Sequence, residues 1–172
     1  YVARLGEVDS RFKVFRVEKN IHIVPGNRFV FKKSGGDFIV PVDSDDLLYD
    51  DSLLLFFNSI RENPQGDAFY SDEQTIDRED APLAPLLRNP TFSNVYAYAT
   101  CPYAHLSAFR RELAEKVEVY ESDYAQGSHD WDTALRLIEA GGSFVHIPYV
   151  LYGWRVHEMS SSSGDDVKPY TL

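Results

Sequence analysis

From Arg11 to Val17 the chain alternates polar and apolar residues, a period of two that predicts a strand with one buried face. Pro25 then opens a short helix that runs through Lys33, since proline is tolerated in a first helical turn, and Gly35-Gly36 ends it. Phe38 to Val42 is apolar throughout and breaks into Asp43-Ser44-Asp45-Asp46, the pattern of a buried central strand with acids at its carboxyl end. Asp51 or Ser52 caps a helix to about Glu62, with Leu53, Leu54, Phe56, Phe57 and Ile60 as its expected buried stripe. Asn63-Pro64-Gln65-Gly66 stops it.

Ala68 to Ser71 reads as a short strand, and the proline-punctuated stretch from Asp72 to Phe92 as a loop. His105 to Phe109 predicts a strand feeding a helix over Arg111 to Val117. Ser128 is placed to cap a firmer helix in which Ala134, Leu135 and Ile138 recur at helical spacing, closed by Gly141-Gly142. Ser143 to Ile147 reads as a last strand, Tyr149 to His157 as an aromatic-rich segment, and Ser160 to Asp166 as a flexible tail.

The 172 residues, 44% of them hydrophobic, suffice for one ordinary core, and no apolar run reaches the roughly 18 residues of a membrane span. One cysteine, Cys101, excludes an internal disulfide framework and a thiolate-rich metal site, and it fits a reducing compartment. A net charge of -10 repels a phosphate backbone, so nucleic acid is not an expected partner. The same charge repels a nucleoside diphosphate, so binding one calls for a divalent cation and therefore for clustered carboxylates.

Three polar elements are candidates for chemistry. Asp43-Ser44-Asp45-Asp46 offers hard oxygen ligands suited to magnesium or manganese, and it is equally a good turn and helix-capping string. Asp130 and Asp132, in Ser-His-Asp-Trp-Asp, stand where a helix N-terminus favours carboxylates for structural reasons alone. Trp154-Arg155-Val156-His157 combines an aromatic, a phosphate-competent guanidinium and an imidazole that is either a metal ligand or an ordinary surface residue.

The order of these elements resembles family 2 glycosyltransferases, an inverting GT-A family. Gly36 to Leu48 resembles that family's strand and Asp-X-Asp motif, and Tyr70-Ser71-Asp72-Glu73 a segment of one bacterial branch. His129-Asp130-Trp131-Asp132 with Leu135-Arg136-Leu137 is similar to its catalytic-base motif and following helix. Val145 to Tyr152 and Trp154 to His157 resemble its closing strand and arginine-histidine element.

The resemblance implies an α/β GT-A fold, the nucleotide-diphospho-sugar transferase architecture. It has an open, mostly parallel sheet flanked by helices, spans residues 1–158, and lacks part of the N-terminal nucleotide-binding unit; residues 159–172 form a tail. It implies that Asp43 contacts the nucleoside of a nucleotide-sugar donor and that Asp45 holds a manganese or magnesium ion on the diphosphate. Asp130 would deprotonate a carbohydrate or glycoconjugate acceptor, Arg155 steady the leaving phosphates and His157 complete the metal site. Asp132 would support the helix start. The implied setting is polysaccharide or glycoconjugate synthesis in the cytoplasm, with peripheral membrane association through further segments or a partner. The competing reading is a non-catalytic GT-A-like binding or assembly module. A sugar nucleotidyltransferase ranks last, because no glycine-rich basic phosphate loop is visible. Tyr96, Tyr98 and Tyr103 are expected either at an acceptor or packed on the sheet.

Overall fold

In the computed structural model, which describes residues 2–88, 92–101 and 103–156, one six-stranded sheet lies between two helical layers. The strands are β1 (Phe38–Ile39), β2 (Leu47–Leu48), β3 (Ala68–Ile76), β4 (Pro82–Leu86), β5 (Ser107–Arg110) and β6 (Phe144–Arg155). Their order is β1-β5-β3-β6-β2, with β4 paired to β3. The helices are α1 (Val2–Val8), α2 (Ile23–Lys33), α3 (Ser52–Glu62), α4 (Asn94–Ala99), α5 (Arg111–Lys116) and α6 (His129–Glu139).

The period of two along the strands sorts the core into layers. Ala68 and Phe109 face a cluster containing Val24 and Phe31 of α2, Ala114 of α5 and Leu137 of α6. Their neighbours Phe69 and Ala108 face Phe56 of α3, with Leu55 and Ile60 packed against that cluster. Tyr70 joins Tyr103 and Ala134 in a third cluster, where Phe92 stacks on Phe144 at 4.0 Å between ring centroids.

Several expectations are corrected here. The sheet is mixed rather than mostly parallel: among the described residues β3 and β6 are the one parallel pair, and the other pairings are antiparallel. The Phe38–Val42 run is not a central strand, because only Phe38 and Ile39 pair, at the sheet edge against β5. Arg11 to Val17 forms no strand; Phe12, Val14 and Val17 stay exposed, and Phe15 rests edge-on against Phe29 of α2. On α3 the buried stripe is rotated, with Leu55, Phe56 and Ile60 against the sheet and Leu53, Leu54 and Phe57 exposed.

The predicted loop after Ser71 is largely strand. β3 continues to Ile76 and turns back through β4, where Pro82 and Pro85 are accommodated because β4 is an edge strand that pairs on one side only. The last two predicted segments fuse into β6, and the register against β3 shifts between Ser71 and Glu73 where Pro148, which cannot donate to a ladder, interrupts pairing. The predicted tail lies outside the described residues. Among those that are described, no helix is long and apolar enough to cross a membrane.

The side-chain caps expected of Asp51 and Ser128 are not made, and the Ser52 hydroxyl donates instead to the Leu151 carbonyl at 2.6 Å. The α2 start takes a bond from afar, Val24 N–H donating to Gln126 Oε1 at 3.3 Å. At the end of α6, Gly141 adopts φ 79° and the N–H groups of Gly141 and Gly142 return to Ile138 and Leu137, each at 2.9 Å. That is the Schellman arrangement, which requires a left-handed residue at the first glycine. A Cβ at Gly141 meets nothing within 4 Å, so the penalty for Gly141→Ala is conformational alone. We expect it to lower stability by about 1 kcal/mol in urea denaturation, with the spectrum of the native state unchanged.

Candidate functional site

The loop joining β1 to β2 carries the acidic cluster, and β6 pins it from beneath. Asp43 N–H donates to the Tyr152 hydroxyl at 3.2 Å, and Arg155 N–H donates to Asp46 Oδ1 at 2.8 Å. The Arg155 side chain finishes the clasp: Nε donates to the Asp45 carbonyl at 2.6 Å, Nη1 to the Asp77 carbonyl at 2.7 Å and Nη2 to Asp80 Oδ1 at 2.5 Å. Arg155 therefore ties the acidic loop to the β3–β4 turn, and its side chain is only 19% exposed.

Facing this loop is the start of α6. Arg28 of α2 holds the approach to it, donating to the carbonyls of Tyr120 and Glu121 at 2.7 and 2.9 Å and pairing with Asp123 at 2.5 Å. The result is a cleft of 490 Å³ whose walls include Asn27 and Val30 of α2, Asp43, His105, His129 and Asp130. Asp43 and Asp130 thus share one cavity. Asp45, one step further on, has an exposed side chain and is not part of that wall. Asp132 pairs with Arg136 at 2.7 Å along α6, and His157 lies outside the described residues. Tyr103 is buried in the third core cluster, whereas Tyr96 and Tyr98 on α4 are exposed.

Electrostatically the cleft is acidic with two imidazoles set into it. Loss of solvent raises the Asp43 pKa above its ordinary 3.8, with Asp130 and Asp46 adding to the rise and His105 and His129 opposing it. His129 Nε2 lies 3.3 Å from Asp130 Oδ1. His105 Nε2 lies 3.7 Å from Asp43 Oδ2, and its Nδ1 lies 3.6 Å from Glu73 Oε2. Burial acts against the His105 imidazolium, yet the Glu73 hydrogen bond and the charges of Asp130, Glu73 and Asp43 outweigh it, so its pKa stands above 6.5. The Tyr152 phenol is held protonated, first by burial and then by the adjacent Asp46.

His105 and its support are what residue-by-residue reasoning missed as site components. Glu73, with a side chain 3% exposed, pairs with Arg88 and accepts the His105 backbone N–H at 2.6 Å. Beside it Asp72 Oδ1 accepts the Arg88 backbone N–H at 2.7 Å and lies 2.8 Å from His146 Nε2. The signal was Asp-Glu set in the middle of an otherwise buried strand, a pattern that demands partners. A larger groove of 870 Å³ between α2 and α5 also carries charges, among them Lys32 paired with Glu121 at 2.6 Å and Arg111 with Glu115 at 3.4 Å.

Among the described residues no three His, Cys, Asp or Glu side chains converge to hold a metal ion. A hard divalent cation takes one or two protein carboxylates when phosphate and water complete its shell, and Asp45, the expected ligand, has an exposed side chain.

The fold has known counterparts. S. aureus TarS 1–349 in complex with UDP-GlcNAc superposes with a TM-score of 0.67 at 17% identity, over 88% of this chain and 45% of that one. A second TarS 1–349 structure gives 0.65 at 15% identity over 89% and 47%, and the UDP complex gives 0.54 at 17% over 76% and 39%. At these identities the likeness is one of fold: a mixed α/β fold shared with TarS. No protein-family model matches the chain. In sequence it is 29% identical over 164 residues to "Uncharacterized protein y4gI" of Sinorhizobium fredii (strain NBRC 101917 / NGR234). The match takes in 94% of this chain and spans 18% of that relative's length.

Removing Glu73 leaves the Arg88 guanidinium without its partner in a largely buried position. Glu73→Ala is therefore expected to destabilise the chain by roughly 3 kcal/mol, read from the urea midpoint. His105 contributes a pH dependence whose sign follows from its raised pKa. Its stabilisation is complete below the ordinary value of 6.5 and is lost as pH rises through the higher folded value. Melting temperature should fall across that window in the wild type and fall less in His105→Gln.

Proposed function

We propose that the chain carries the catalytic centre of an inverting, metal-dependent glycosyltransferase of the GT-A type, related to family 2. It moves a sugar from a nucleoside-diphosphate sugar to a hydroxyl acceptor in polysaccharide or glycoconjugate synthesis. The observation that carries this reading is the shared cleft of Asp43 and Asp130, two acids from distant parts of the chain. Its likeness in fold to a protein solved with UDP-GlcNAc and with UDP supports a nucleotide-sugar donor.

In this reading Asp43 contacts the nucleoside and Asp130 accepts the proton of the acceptor hydroxyl. The acceptor oxygen forms its bond to the anomeric carbon on the face opposite the leaving group. The bond from that carbon to the diphosphate oxygen breaks, and its electron pair leaves with the phosphate, inverting the configuration. Asp45, with His157 beyond the described residues, would hold a manganese or magnesium ion, which when bound offsets the charge of the leaving diphosphate. Arg155 serves first as the clasp on the acidic loop, using three of its five N–H groups there, so a contact with phosphate falls to the remaining N–H on Nη1 or Nη2.

That engagement of Arg155 favours, as the second reading, a GT-A-like binding or assembly module without turnover. Calorimetry with UDP and UDP-GlcNAc, with and without manganese, separates the two. The enzymatic reading expects metal-dependent binding that Asp45→Ala abolishes. It further expects Asp130→Asn to retain binding while hydrolysis or transfer of the donor sugar drops about 10²- to 10⁴-fold. Binding by a wild type with no turnover on any acceptor panel supports the module, and a folded chain that binds no nucleotide sinks the donor site.

A further inference from the structure

We propose that His105 is a positioning residue for Asp43, braced by the buried Glu73 carboxylate and the Tyr152 ring so that Asp43 is set for a nucleoside before one arrives. The inference rests on the donor-site reading above and extends it to a residue which that reading does not use.

Asp43 needs such a support. It stands in the loop between two short strands and on the wall of the cleft, and its side chain is 63% exposed. Two contacts reach it from elsewhere: the Tyr152 hydroxyl takes its backbone N–H, and His105 Nε2 stands 3.7 Å from its carboxylate. These two supports are one unit, because the His105 ring lies nearly flat on the Tyr152 ring, 5.2 Å between centroids and 17° between planes.

The unit is anchored in the sheet. Glu73 Oε2 accepts the His105 backbone N–H at 2.6 Å, which fixes where the imidazole begins, and the ring Nδ1 lies 3.6 Å from the same oxygen. Glu73 is itself held by Arg88, whose guanidinium also reaches the carbonyl of Ala104, next to His105. The line Arg88–Glu73–His105–Asp43 therefore runs from the buried strand β3 to the cleft wall. A loop carboxylate held in this way surrenders its rotamer freedom on folding rather than on binding, which strengthens any contact it makes to ligand.

The test separates positioning of Asp43 from a general structural role by using two ligands, UDP and inorganic pyrophosphate, each with manganese. If His105 acts through a nucleoside contact, His105→Ala weakens UDP about tenfold and leaves pyrophosphate within about twofold. His105→Gln, which restores a donor near the position of Nε2, recovers most of the UDP affinity. Should the alanine variant not fold, His105→Asn, lacking any group at the Nε2 side, replaces it in the comparison. Unchanged UDP binding in these variants, or equal weakening of both ligands, overturns the inference and leaves the donor site standing. A folded wild type that binds neither ligand overturns the donor-site reading and this inference together.

Discussion

A carboxylate withdrawn from water is tolerable only when its charge is met and its oxygens are hydrogen-bonded. Glu73 is the point at which this chain faces that constraint. One of its oxygens goes to Arg88 and the other to the backbone of His105, so a single buried side chain fixes both the segment that follows β4 and the residue that leads into β5. Its neighbour Asp72 repeats the arrangement with His146 on β6 and the Arg88 amide. Successive strand residues ordinarily point to opposite faces, yet here both acids are satisfied. The register shift against β6 at this position is the local distortion that accompanies it.

β6 is the second organising element. Its first half packs Phe144, Val145 and Ile147 into the core clusters, and its second half combines packing through Leu151, Tyr152 and Trp154 with holding. Tyr152 and Arg155 reach the acidic loop with a hydroxyl, a backbone amide and a guanidinium. The geometry of Asp43 to Asp46 is thus set less by that loop's own turn chemistry than by a strand more than a hundred residues later. Meanwhile α6 delivers Asp130 from the opposite side, and Arg28 fixes the segment that leads into it.

Local signals and long-range ones divide what could be read in advance. Helices α2, α3 and α6 were legible because apolar spacing and glycine act over a few turns, and Gly141-Gly142 closes its helix as expected, whereas the side-chain caps expected of Asp51 and Ser128 are not made. The apolar run at Phe38 was legible as something buried but not as an edge strand, since hydrophobicity reports burial and is silent about which neighbours a strand has. Pro82 and Pro85 argued for a loop because one-sided pairing cannot be inferred from residue type. Apolar spacing marks α3 as amphipathic without fixing its rotation, and the sheet takes the side bearing Leu55, Phe56 and Ile60. At the site, the acids Asp43 and Asp130 stood out by type and order. Their common cleft, the role of Arg155 as a clasp and the brace through His105 depend on contacts between distant segments, which no local pattern encodes.

The one parallel pairing among the described residues bears on how the chain folds. β3 and β6 lie side by side, yet the chain between them contains β4, α4, β5, α5 and α6, so the pair closes only after a long loop of ordered structure has been brought together. Contacts of such large sequence separation are assembled late and slowly, because loop closure must precede any gain from pairing. The acidic loop waits on β6, and β6 waits on this closure. The cleft that joins the two acids therefore depends on contacts of large sequence separation, the kind that slows folding, rather than on any one local element.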